Sequence, residues 1–404
     1  MTALVVAVFV VVYLGMALGR VPRLQTDRTG IALLGALVLS IAGVVSATDV
    51  VAAIDFPTLF VLFALMVLSA QFAISGFYDW CAWRIATARA SPAALLALTV
   101  ASAGALSAIL ANDVVVFAMT PMLCHGLMAR GLDPRPFLIG LAGAANAGSA
   151  ATLIGNPQNI LIGQAGGLAF WPFVAACAPV AVVSLVVVWA VIRVVWRHRL
   201  GAGRSAAPAP PPAPDRGAAI KGGVATVVLL ALFTTPLPHA TGALMVAGAL
   251  FLSRKQSTRK ILGFVDWPLL VLFAALFVIT GALSATGLLE VGRASLAGAG
   301  LDIARLPVMA GVALAASNTV GNVPAVVLIL AAVPDLSVRA LYALAILSTL
   351  AGNLLLVGSL ANIIVAERAR DAGAELTFRD HAVCGIPITL ISFALALAWL
   401  WAMG

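Results

Sequence analysis

Apolar runs of 16–20 residues recur from end to end of the chain, separated by short polar breaks. About 20 apolar helical residues cross the hydrocarbon core of a bilayer, so the pattern predicts a polytopic α-helical membrane protein. Spans are expected near 3–18, 30–47 and 57–76, followed by a polar amphipathic stretch at 78–90 that lies at the interface. Two apolar legs, 93–110 and 114–129, then flank Asn112 and Asp113. A segment at 137–163 is interrupted at Gly155-Asn156-Pro157-Gln158-Asn159, and a clean span occupies 172–195. The first run, Ala3–Leu18, has no basic region before it and no small-residue cleavage site after it, so it reads as a span rather than a cleaved signal.

The plan then repeats. A Pro/Ala-rich, polar stretch at 199–219 has the composition of a semi-rigid linker. Beyond it, spans fall near 221–235, 240–253 and 266–285, followed by a Gly/Ala-rich stretch. Legs near 305–316 and 324–333 flank Ser317-Asn318-Thr319-Val320-Gly321-Asn322, a second broken segment covers 339–366, and the last span runs over 383–402. Letters correspond as well as spacing: Asp55-Phe56-Pro57 opens one span and Asp266-Trp267-Pro268 its partner, Asn112 pairs with Asn322, and Gly155–Asn159 pairs with Gly358–Asn362. The expected organisation is a first repeat at 1–198 (hairpin 93–129, broken helix 137–163), the linker, and a second repeat at 220–404 (hairpin 305–334, broken helix 339–366).

Charge orients this plan. Five crossings plus a hairpin that enters and leaves on one side make an odd count, so two such repeats must be inverted. With both termini outside, the loops 19–29, 77–92, 129–136, 193–221, 253–265 and 367–382 are cytoplasmic and hold 20 of the 23 Lys and Arg residues. Only Arg293, Arg305 and Arg339 stay outside, as the positive-inside rule requires of an inner, plasma-membrane protein. The net charge of +8 is therefore loop charge and implies no nucleic-acid partner. At 63% apolar and 9% charged residues, with a mean hydropathy of +1.12, the chain is not a soluble globule. Cys81, Cys124, Cys177 and Cys384 lack ligand spacing, and the four histidines are dispersed, so no metal or other cofactor is expected.

Inverted repeats with discontinuous helices place solute and ion sites where the helices break, because freed backbone groups are tolerated in a membrane only around a cavity or a bound species. Four polar clusters meet that condition: Asn112 with Asp113; Thr152, Asn156, Gln158 and Asn159; Ser317, Asn318, Thr319 and Asn322; and Asn353, Ser359 and Asn362. A single Asn in a membrane helix is commonly interhelical glue, which stands as the alternative for Asn146 and Asn353. Ser40, Ser69 and Thr280 read as packing residues. Asp113 is the one carboxylate expected deep in the membrane, and an intramembrane ionisable group is functional by default. No Lys or Arg falls in these clusters, so a multiply charged anion would depend on helix N-termini and a coupling cation. An amide-rich site with one carboxylate suits a small hydroxylated solute or a small cation, coupled to H+ through Asp113. No spaced metal ligands, nucleophile with a base, or soluble catalytic domain point to an enzyme.

Ala111-Asn112-Asp113 followed by Thr120-Pro121 resembles the first-hairpin motif of arsenite/antimonite permeases. Asn322-Val323-Pro324 is similar to their second-hairpin Asn-x-Pro, and Gly155–Asn159 resembles the broken-helix motif of the ion transporter superfamily. The similarity continues from Gly358–Asn362 through Glu367-Arg368 to Gly385-Ile386-Pro387. That superfamily also holds sodium/proton antiporters and sodium-coupled carboxylate and divalent-anion transporters. The resemblance implies a secondary transporter that exports arsenite, antimonite or a related small inorganic or organic anion, or a neutral metalloid hydroxide. It implies H+ or Na+ as coupling ion, and a scaffold that can form a homodimer. Two departures narrow it: Asp113 stands where the dicarboxylate branch has Thr, and Asn322 has no Asp beside it.

Overall fold

The computed structural model describes residues 1–18, 26–201 and 210–403, which fold as twenty α-helices and one 3-10 turn, with no strand among them. The first ten are α1 (Thr2–Leu18), α2 (Arg28–Ile41), α3 (Ala47–Ala53), α4 (Phe56–Ile74), α5 (Phe77–Thr87), α6 (Pro92–Ile109), α7 (Asn112–Ala129), α8 (Arg135–Ser149), α9 (Pro157–Ala165) and α10 (Phe170–Val195). The second ten match them in order. They are α11 (Arg216–Leu232), α12 (His239–Phe251), α13 (Thr258–Leu262), α14 (Trp267–Ser284), α15 (Leu288–Gly298), α16 (Leu306–Thr319), α17 (Asn322–Ala332), α18 (Val338–Ala351), α19 (Leu360–Asp371) and α20 (Phe378–Ala402). Six helices, α4, α6, α7, α10, α14 and α20, are long and apolar enough to cross a membrane, and several shorter apolar helices accompany them. This is a multi-pass membrane protein.

The repeated letters are repeated structural devices. Asp55 and Asp266 each cap their helix, accepting from the amides of Thr58 (3.2 Å) and Leu269 (3.0 Å), with proline in the first turn where its missing N–H is not needed. Gly76 and Gly287 both sit at φ +73° and turn the chain into α5 and α15, a conformation that strains residues with a Cβ. Packing follows the same correspondence with partners exchanged. Helix α4 lies on α11 and α12 while α14 lies on α1 and α2; α7 lies on α19 while α17 lies on α9. Each hairpin leg also rests on its own broken helix, α6 on α8 and α16 on α18. The α6–α8 approach is backbone to backbone, since a Cβ on Gly148 would stand 2.2 Å from the Gly104 carbonyl oxygen.

Two stretches differ from expectation. Residues 202–209 of the 199–219 linker lie outside the described residues, but its last residues begin α11 instead of continuing as linker. Asp215 caps that helix through the Ala218 amide (3.1 Å), and its own amide donates to the Ser75 carbonyl (2.9 Å), anchoring the end of the linker to α4. The Gly/Ala-rich stretch after 285 forms α15, the counterpart of the amphipathic α5. Valines 182, 183 and 186 on α10 and Leu390, Ile391 and Leu395 on α20 stay exposed on faces suited to lipid.

Candidate functional site

The two helix breaks are built alike. After α8 the chain runs through Ala150–Gly155 and restarts at Pro157, with Asn156 as cap: its Oδ1 accepts the Asn159 amide at 2.9 Å. Gly155 is required for the close return of the chain, because a Cβ there would stand 2.3 Å from the Ser149 carbonyl oxygen. Breaking the helix frees carbonyls, and Asn159 answers them: its Nδ2 donates to Ser149 O (3.2 Å) and Thr152 O (2.9 Å). In the second half, Asn362 does the same for Gly352 O (2.8 Å) and Leu355 O (3.1 Å). Neither asparagine is exposed at all.

The breaks also hold each other. Asn146 on α8 donates to Asn362 Oδ1 (3.1 Å) and Asn353 Oδ1 (2.9 Å), and accepts from Ser359 (2.9 Å). The residue at the equivalent place on α18, Thr349, accepts from Asn156 (3.2 Å) and Gln158 (3.3 Å), and its hydroxyl lies 3.4 Å from Asn159 Oδ1. Asn353 further donates to Gly143 O (3.2 Å). Each half thus completes the polar core of the other. Thr152 instead bonds back to the Ala108 carbonyl of its own hairpin.

The hairpin tips meet this core from either side. Asn112 is the first residue of α7 and Asn322 the first of α17, each preceded by a two-residue turn. The Asn112 amide donates to Gly155 O (3.3 Å), and Ala111 N to the Ser69 hydroxyl (3.1 Å), so Ser69 orients the first tip besides packing. At the second tip the Asn322 side-chain amide faces two carbonyl oxygens, Ser348 O (3.2 Å) and Gly358 O (3.1 Å), and its nitrogen is assigned to that side as their donor. Ser317, Asn318 and Thr319 fall in the last turn of α16, before the tip. Asn318 donates to Leu314 O (3.0 Å) and Ala351 O (2.9 Å), Ser317 faces Ser348 O at 3.5 Å, and Thr319 bonds its own helix.

A cavity of about 450 Å³ opens between the tips and the breaks. Of the polar residues singled out from the sequence, Asn112, Asp113, Asn146, Gln158, Asn322 and Ser359 line it. Asn112 is nearly fully buried, and its Oδ1 has no hydrogen-bond partner. Asp113 also lines a second, largely apolar cavity of about 330 Å³ beside Phe117, Leu62 and Ile160, and Asn156 lines this one too. Thr152, Asn159, Asn353 and Asn362 line neither cavity.

Sequence reasoning assigned no site role to four charged residues here. Asp27, Arg28, Asp266 and Glu367 share the larger cavity with Asp113. Arg28 reads as loop charge and Asp266 as a helix cap, and only the fold brings helix starts 238 residues apart to the same wall. The expectation that no basic residue approaches the clusters is therefore corrected.

Comparison with known proteins places this geometry. Residues 13–338 match the family model described as citrate transporter. The chain belongs to the citrate transporter family. That family lies in the ion transporter superfamily, and its members are membrane transporters, not enzymes. An uncharacterized transporter of Mycobacterium tuberculosis is 30% identical over 99% of this chain and 98% of its own length. A silicon efflux transporter of Oryza sativa subsp. japonica is 28% identical over 93% of both chains. In structure, this citrate transporter family member resembles the YdaH transporter of Alcanivorax borkumensis with a TM-score of 0.60 at 17% identity, covering 99% and 97% of the two chains, which is likeness of fold alone.

Proposed function

We propose that the chain is a proton-coupled secondary transporter that exports a small hydroxylated solute or oxyanion, of the arsenite, antimonite or silicic acid kind, by alternating access. The observation that carries this reading is the position of Asp113. It lines the amide-bearing cavity at the tip of one hairpin, opposite Asn322 at the tip of the other, and makes no hydrogen bond to other described residues. A carboxylate held this way in a membrane can exchange a proton as the solute enters and leaves. Asn112, Asn322, Gln158 and Ser359 form the cradle, while Asn159 and Asn362 hold the breaks rigid behind it. In this reading the halves are inverted repeats in the inner membrane with both termini outside. The cavity is lined by the start of α2, the cap of α14 and the end of α1, all on the side where the basic loops lie, so this state faces the cytoplasm. Efflux of silicon by a relative that matches over 93% of both chains supports an exporter.

Sodium-coupled carboxylate transport is the second reading, supported by the family description. Flux in proteoliposomes separates the two, with arsenite, silicic acid and citrate each measured against an imposed proton gradient with and without sodium. Proton-driven movement that is lost in Asp113→Asn supports the exporter. Asp113→Asn with full proton coupling refutes the role of Asp113, and sodium-dependent citrate uptake replaces the exporter with the second reading.

A further inference from the structure

Arg28 opens α2, and its Nε donates to the Met16 carbonyl at 3.1 Å, which pins the side chain against the end of α1. Its Nη1 reaches the second hairpin tip, where a Cβ on Gly321 would stand 3.6 Å away. The side chain is half-buried and lines the cavity beside Asn322. It makes no ion pair among the described residues. Residues 19–25 and 202–209 contain no Asp or Glu, so no side-chain carboxylate outside the described residues can neutralise it. The nearest acid in sequence, Asp27, is engaged as the cap of α2 through the Gly30 amide (2.9 Å).

Asp27, Asp113, Asp266 and Glu367 line the same cavity, but none forms an ion pair with Arg28. A half-buried guanidinium with no paired carboxylate is costly, and its planar fork of donors matches a carboxylate or another oxyanion two bonds at a time. Gly321 leaves open space in front of that fork, at φ +98° where a side chain is disfavoured. We propose that Arg28 is the anion-recognising residue of the cavity, its free guanidinium edge binding a carboxylate or inorganic oxyanion beside the Gly321–Asn322 tip. This rests on the reading of the cavity as the solute path, and narrows the solute to one that carries negative charge. Arg28 comes from α2 and Asn322 from α17, so an anion bound between them bridges a hairpin tip to the helix pair that packs on α14.

The test is titration calorimetry on the full-length protein in detergent, with citrate as anionic probe and silicic acid as neutral probe. The protein is compared with Arg28→Gln and Arg28→Lys, and thermal unfolding serves as a folding control. Loss of a charge-assisted, two-pronged contact predicts citrate binding weakened about 10- to 100-fold in Arg28→Gln. Arg28→Lys keeps part of the affinity, because it restores the charge without the fork. Silicic acid, where it binds, is unaffected by either change. Unchanged citrate affinity in Arg28→Gln, or equal losses for both probes in a folded variant, overturns the assignment. A parent protein that binds silicic acid but not citrate overturns the anion assignment and leaves the transport reading standing; one that binds neither overturns both.

Discussion

Asn159→Ala tests whether the break asparagines are structural. In the native protein Asn159 is fully buried and its Nδ2 serves two carbonyls freed by the break, Ser149 O at 3.2 Å and Thr152 O at 2.9 Å. Truncation leaves both without that donor, at about 1–3 kcal/mol for each buried unsatisfied group. Hydrogen bonds between membrane helices average nearer 0.6 kcal/mol, which pulls the total toward the low end, about 2–4 kcal/mol. At roughly 2 °C per kcal/mol for a chain of this size or larger, the apparent Tm falls by about 4–8 °C. A thiol-reactive fluorogenic dye reads this directly, because Cys124, Cys177 and Cys384 are buried and become reactive only on unfolding. Asn112→Ala is the control. Its side chain lines the cavity with an unpartnered Oδ1, so transport falls and Tm holds. The reasoning is refuted if Asn159→Ala unfolds at the parent temperature yet no longer transports, since Asn159 would then serve the solute and not the carbonyls.

Two further predictions follow from packing and charge. Gly148→Ala places a methyl 2.2 Å from the Gly104 carbonyl oxygen, and neither backbone can yield cheaply; the first hairpin must shift off α8, and both expression and Tm drop. Asp133, in the turn between α7 and α8, is partly buried, which alone would raise its pKa. The hydrogen bonds and charge of Arg135, with the charge of Arg199, outweigh burial and hold the carboxyl below the usual carboxylate range. A lowered folded-state pKa contributes stability that is present above the unfolded value, about 4, and is lost as pH falls through the folded value. The Tm gap between the parent and Asp133→Asn is therefore widest near neutral pH and closes in acid, and a gap that grows on acidification contradicts the assignment.

Much of this was legible in the letters. Helix breaks are written as Gly, Pro and amide clusters, so Gly155–Asn159 and Gly358–Asn362 could be placed, and so could the order of elements in each half. What one dimension does not encode is azimuth. Asn112 and Asn159 look alike in a sequence, yet the first faces a cavity and the second turns back to its own chain, because only one of them starts a helix at a hairpin tip. The same distinction separates Asn318 from Asn322: Asn318 lies in the last turn of α16, whereas Asn322 starts α17 as Asn112 starts α7. Arg28 was hidden by context, since a basic residue at a helix start reads as a topology signal until α2 is packed on α14. His381 reads as an isolated histidine, yet it is buried with Nε2 3.2 Å from the Asn353 carbonyl, on a helix that only tertiary contact brings to the break.

The exchange between Asn146 and Thr349 has a consequence for how the two halves can be separated. Asn146 serves the break of the second half and Thr349 that of the first, so neither half can satisfy its own polar core alone. The two halves are therefore interdependent: until both are in place, the carbonyls and amides at each break lack partners, so neither half is expected to fold stably as a separate piece. The halves are also not interchangeable: Val323 stands at the position matching Asp113, and Thr349 at the position matching Asn146.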